Sequence, residues 1–136
     1  MSARERGFTL LEVMIAVLIF AIGILSVVGL MAVSTAQATD SRYRSEAAFL
    51  ANQLVSDIWT NRRTLDVYNY PGTGAVPGVL TDWVAKVQAT LPGLEAAGQP
   101  SVAVDAATRT VTVTIFWHPP NAAGNHRHVV VTRISS

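Results

Sequence analysis

The chain has 136 residues, no cysteine and a formal net charge of +1. The near balance of charge removes any electrostatic case for nucleic acid as the main partner, and the lack of cysteine excludes a disulfide staple, a thiolate metal site and a cysteine nucleophile. The length suits one small domain plus one long helix, so the core must be modest, and the helix or neighbouring chains must add stability.

The first residues are polar, with Arg4, Glu5 and Arg6 before Gly7. An apolar stretch then runs from Phe8 to Val33 with one charge in it, Glu12. From Val13 to Thr39 there is no charge, about 27 residues, enough for a helix to cross about 30 Å of hydrocarbon. Arg4 and Arg6 place the N-terminus in the cytoplasm by the positive-inside rule and the C-terminal part in the periplasm, although Arg42 and Arg44 reduce the asymmetry.

Three readings compete for this segment. A secretory signal peptide is supported by Ala36-Gln37-Ala38, a small-x-small cleavage pattern that would release the chain from Thr39. Against it, the apolar run exceeds the roughly 7–15 residues of a signal's hydrophobic region, and a carboxylate near its front is atypical. A plain membrane anchor fits the hydropathy but leaves Glu12 unexplained, since a charge in hydrocarbon costs about 2.5–3.5 kcal/mol at a helix centre and less near its end.

The third reading accounts for the carboxylate. Gly7-Phe8-Thr9-Leu10-Leu11-Glu12, behind its basic leader, resembles the processing motif of type IV prepilins and type II secretion pseudopilins. The resemblance implies that an inner-membrane prepilin peptidase cuts after Gly7 and methylates the new N-terminal residue, Phe8. It makes Glu12 the fifth residue of the mature chain. Phe8 and Glu12 are four apart and share a helix face, so one subunit's Glu12 can neutralise a neighbour's Phe8 amine in a poorly solvated filament core. Gly7, without a side chain, suits an extended backbone in a protease cleft. Gly23 and Gly29 let helices approach closely, or are merely tolerated; Gly29 is also a point where the helix could loosen.

Beyond the apolar run, Tyr43, Ala47, Leu50, Ala51, Leu54 and Ile58 recur at spacings of three and four, with Val55 and Trp59 widening the stripe and Arg44, Gln53 and Asp57 off it. This predicts an amphipathic helix continuing without a proline, from about Phe8 to about Arg62. Pro71-Gly72, Gly74 and Pro77-Gly78 mark a loop, in which Tyr68 and Tyr70 read as exposed aromatics. A short helix follows, capped by Thr81, with Leu80, Trp83, Val84, Val87 and Leu91 as its apolar face and Pro92-Gly93 as its end. Three strands come next: Ser101 to Asp105, Arg109 to Trp117 with Val111, Val113, Ile115 and Trp117 on one face, and His128 to Ile134 after a loop from Pro119 to Asn125.

The fold expected is α+β and pilin-like: a long N-terminal helix, membrane-spanning in its first half, packed on a small antiparallel sheet. Its divisions are a leader over 1–7, a membrane and filament-core helix over 8–34, an amphipathic continuation over 35–62, and a periplasmic head over 63–136. The run Ala47-Ala48-Phe49-Leu50-Ala51, Asp57-Ile58-Trp59 and Asn61-Arg62, with Leu91-Pro92-Gly93 and a Thr/Val strand ending in Trp117, resembles the type IV pilus modification family (PilV), which are minor pilins. The chain lacks the C-terminal cysteine pair usual in major pilins, which suits a minor component. The resemblance implies other major and minor pilins, an inner-membrane assembly platform and membrane lipid as partners. A minor pseudopilin of a type II secretion system is the alternative.

No catalytic constellation and no phosphate-binding glycine loop is present, and no cofactor is expected. His118, His126 and His128 have the residue type for zinc or nickel but read as solvated hairpin residues. Asp82, Glu95 and Asp105 suggest no pairing.

Overall fold

The computed structural model describes residues 3–120 and 122–135, with side chains from Thr9 onward. Met1 and Ser2 of the predicted leader fall outside these residues. The element order is α1 (Ala3–Thr60), two short 3-10 turns (Leu65–Tyr68 and Gly78–Leu80), α2 (Thr81–Thr90), α3 (Leu94–Ala97), β1 (Ser101–Asp105), β2 (Thr110–Trp117) and β3 (His126–Arg133). The chain divides into two compact units, 1–39 and 40–136.

The first unit is the apolar part of α1. The helix extends through Gly7 back to Ala3, beyond the start expected at Phe8. One glycine costs about 1 kcal/mol against alanine, and Ala3, Arg4, Glu5 and Arg6 are all compatible with a helix, so Gly7 does not end it.

The second unit holds the core. On the last five turns of α1, Ala47, Leu50, Ala51, Leu54 and Ile58 are buried, as their spacing predicts. They join one cluster with Val102 of β1, Val111, Val113, Ile115 and Trp117 of β2, and Leu80, Val84 and Val87 around α2. Trp83 ties α2 to α1 by donating its indole N–H to the Leu50 carbonyl at 2.9 Å, which satisfies a polar atom that burial would otherwise penalise. Trp59 lies outside the buried stripe, at 36% exposed. The loop aromatics also differ from expectation. Tyr68 and Tyr70 are core residues, because the first 3-10 turn folds Tyr68 inward and Tyr70 bridges to Val102.

The sheet is antiparallel in the order β1-β2-β3. Val111, Val113, Ile115 and Trp117 face the core, opposite Thr132, Val130, His128 and His126 of β3. β2 begins one residue later than expected, because Arg109 has a positive φ of 54° and belongs to the preceding turn. β3 begins two residues earlier, at His126, and ends at Arg133. Thr81 is not a cap. It is the first residue of α2, and its hydroxyl donates to the Pro77 carbonyl at 3.3 Å. The 3-10 turn Gly78–Leu80 runs directly into the helix and leaves no extended residue to cap. At the other end of α2 the chain needs Gly93. Its φ is +69°, and a Cβ there would stand 2.6 Å from the Cβ of His118.

Candidate functional site: the apolar helix and the foot of the head

From Thr9 to Thr39 every side chain of α1 is exposed, including Leu10, Met14, Ile19, Phe20, Leu25 and Leu30. The segment is long and apolar enough to cross a membrane. An unbroken helix keeps its backbone polar groups satisfied without water. Its hydroxyls follow suit: Ser26 donates to the Ile22 carbonyl at 2.8 Å, Thr35 to Met31 at 2.9 Å and Thr39 to Thr35 at 2.9 Å. These three hydroxyls thus cost little in an apolar surrounding.

Glu12 is the one charged residue on this exposed stretch. Gly7 and Phe8 lie in the same helix by backbone, while their side-chain positions fall outside the described residues. At 100° per residue, positions 8 and 12 project within about 40° of each other. Gly23 and Gly29 also lie on this stretch, and a Cβ at either would meet nothing within 4 Å. Nothing among the described residues therefore requires glycine at these two positions.

The next charge, Asp40, opens the second unit. One carboxylate oxygen accepts from Arg44 Nε at 2.9 Å, one helical turn on. The other stands 2.9 Å from His126 Nδ1, at the start of β3, and both of these atoms are shielded from water without a hydrogen bond of good geometry among the described residues. The hydrogen bond from Arg44 does most to hold the Asp40 carboxyl below the usual range; partial desolvation opposes it, and the charges of Arg44 and His126 assist. Trp117 meets His126 edge-on, with ring centroids 5.6 Å apart, and its indole N–H is buried without an acceptor among the described residues. His126 is thus not a fully solvated hairpin residue, its side chain being 28% exposed. His126 and His128 share the core-facing side of β3, and His118 Nδ1 contacts Asn125 Oδ1 at 2.9 Å. No three metal-binding side chains converge among the described residues.

Residues 2–28 match the family model for the prokaryotic N-terminal methylation motif. No curated protein and no solved structure matches the chain.

The methylation motif covers the leader from Ser2 through Gly7, then Phe8, Glu12 and Gly23, and stops just short of Gly29. It supports the type IV pilin-like superfamily and indicates a substrate of the prepilin-peptidase type. Proteins with this motif are structural rather than catalytic, and the motif and the apolar helix together are consistent with anchoring in the inner membrane. The long helix on a three-stranded antiparallel sheet is consistent with a pilin-like fold.

Two residues important to the second unit were not singled out from sequence. Asp40 appears there only as the end of a charge-free run, and nothing links it to His126, far along the chain. Arg109 is the other. Its guanidinium donates from Nε to the Ile134 carbonyl at 2.9 Å and from Nη2 to the Arg62 carbonyl at 3.0 Å, joining the end of α1 to the end of β3. A lone arginine before a strand carries no local signal for such a role.

Proposed function

We propose that this chain is a minor pilin of a type IV pilus, of the kind represented by PilV. A prepilin peptidase cuts it between Gly7 and Phe8 and methylates the Phe8 amine. The precursor sits in the inner membrane as a single pass, with its N-terminus cytoplasmic and residues 63–136, with the amphipathic end of α1, in the periplasm. It then joins other major and minor pilins at the inner-membrane assembly platform, exchanging lipid for neighbouring helices.

The observation that carries this reading is a fully exposed helical surface from Thr9 to Thr39 whose one charge is the Glu12 carboxylate near its start. In lipid the carboxylate is a cost. In a filament it is a partner for the methylated amine of a neighbouring subunit, and the pair selects one axial register because either charge buried alone is unfavourable. Gly23 and Gly29 fit the same assembly, since the space beside them is open to a neighbouring helix.

N-terminal peptide and intact-mass analysis of the membrane fraction tests the reading. The expected mature chain begins at an N-methylated Phe8, and Gly7→Leu blocks its formation. A start at Thr39 would overturn it in favour of a secreted domain, and an uncut N-terminus in favour of a plain anchor. Recovery in sheared surface pili, rather than in a secretion pseudopilus, distinguishes the pilin from a minor pseudopilin.

A further inference from the structure

The sheet has two outer edges, and the chain treats them differently. At β1, Tyr70 N–H donates to the Val102 carbonyl at 2.8 Å, Val102 N–H donates back at 2.7 Å, and Val104 N–H donates to the Asn69 side chain at 3.2 Å. Beyond the end of β1, the N–H of His118, just past β2, is taken by the Pro92 carbonyl at 2.9 Å. Nothing comparable covers β3 among the described residues.

Alternation along antiparallel strands shows which β3 groups are left open. Val102 and Val104 turn their amides outward, so Ser101, Ala103 and Asp105 bond to Thr114, Thr112 and Thr110. Val111, Val113, Ile115 and Trp117 must then face β3, and they pair with Thr132, Val130, His128 and His126. The bond from Ile134 N–H to the Arg109 carbonyl, 2.9 Å, has the parity this requires. The backbone groups of Arg127, Val129, Val131 and Arg133 are left pointing away from the sheet. Their side chains share its outer face, with Val129 43% and Val131 63% exposed.

We propose that this edge accepts an extended strand from another protein, apolar in its middle and carrying a carboxylate opposite each arginine. Backbone pairing supplies the attachment and the alternate side chains supply selectivity. The arginines argue against a second copy as the occupant. In an antiparallel self-pair at full overlap, Arg127 faces Arg133 of the second copy at both ends, and a parallel pair sets like arginines side by side. Like charges directly opposite are destabilising, and charged residues are a common means of keeping an edge from pairing with itself. An acid at each of those places turns the same repulsion into attraction. The inference rests on the head alone and does not depend on the pilin reading.

The test uses the full chain in detergent micelles and a cyclised hairpin peptide whose open strand reads Glu-Thr-Val-Thr-Val-Thr-Glu, with a Lys-ended twin as comparison. The Glu-ended peptide should cause saturable amide shifts concentrated at Arg127, Val129, Val131 and Arg133, and should bind about tenfold more tightly than the twin. Val131→Pro removes an outward N–H without touching the β2 ladder and should abolish binding with the remaining spectrum retained. The double variant Arg127→Glu, Arg133→Glu should prefer the Lys-ended peptide. Equal binding of the two peptides, an unchanged preference in the double variant, no shifts at millimolar peptide, or dimerisation of the chain through β3 would each overturn the proposal.

Discussion

At the scale of single residues, two carboxylates at either end of the apolar run have opposite roles. From Thr9 to Thr39 no other residue carries a charge that could compensate Glu12, and in the function proposed above its partner is a neighbouring subunit's Phe8 amine. Glu12→Gln keeps the shape and removes the charge. We expect this variant and Glu12→Val to be cleaved after Gly7 but to be depleted in sheared filaments relative to the membrane pool. Membrane insertion of Glu12→Val should improve, by at most about 3 kcal/mol. Normal incorporation of both variants at equal expression would remove the charge-pair mechanism. Asp40, by contrast, has its partners within the head: Arg44 donates to one oxygen and His126 Nδ1 stands 2.9 Å from the other. Because folding lowers its pKa, the folded head binds fewer protons than the unfolded chain, and the stabilisation is present above the unfolded value and lost as pH falls through the folded one. Asp40→Asn should therefore lower the urea midpoint at neutral pH, with the gap to the parent protein closing below about pH 4. A gap that persists undiminished at pH 2 would show that the carboxylate charge is not what stabilises.

Among the elements, α1 has two surfaces with different demands. Its last turns bury an alanine and leucine stripe, in which Ala47 and Ala51 are fully buried and allow close packing. Leu50→Ala should cost about 2–5 kcal/mol in chemical denaturation, since it opens a cavity where helix, sheet and α2 meet. Ile58→Asp should cost about 3 kcal/mol or more, by placing an unpaired charge at a site with no exposure. Phe49→Ser should be nearly neutral for stability, because Phe49 is 60% exposed, with the Lys86 ammonium 5.7 Å from its ring. An Ile58→Asp variant that melts with the parent protein would mean the buried face is wrongly assigned. The turn between α2 and α3 is equally demanding. Gly93→Ala should destabilise by about 1–3 kcal/mol, because the added Cβ meets the backbone and Cβ of His118 in a left-handed conformation.

For the whole molecule, the division after Thr39 separates an apolar helix with no core of its own from a unit whose core is complete. A fragment beginning at Thr35 is expected to be soluble, to be monomeric by light scattering, and to show mixed helix and strand by circular dichroism. Loss of the exposed apolar surface removes the drive to aggregate, and the arginines on β3 oppose edge pairing. A fragment that collapses to a disordered chain would mean that the apolar half of α1 is needed for folding of the head.

Local pattern alone determined a good deal. The charge-free run, the carboxylate after Gly7-Phe8, the helical stripe from Ala47 to Ile58 and the alternation from Val111 to Trp117 are all one-dimensional signals, because a helix or strand repeats its environment at a fixed period. Boundaries were less legible: the helix passes through Gly7, and the 3-10 turn at Gly78 displaces the cap expected at Thr81, because cooperative backbone bonding outweighs a single residue's preference. Contacts between distant parts of the chain had no sequence signature. The inward turn of Tyr68 and Tyr70, the Asp40–His126 contact, the two carbonyls held by Arg109 and the contrast between a covered β1 edge and an open β3 edge arise only when remote segments meet. Tertiary packing decided these features, since each depends on where a second, non-local segment supplies or withholds a partner.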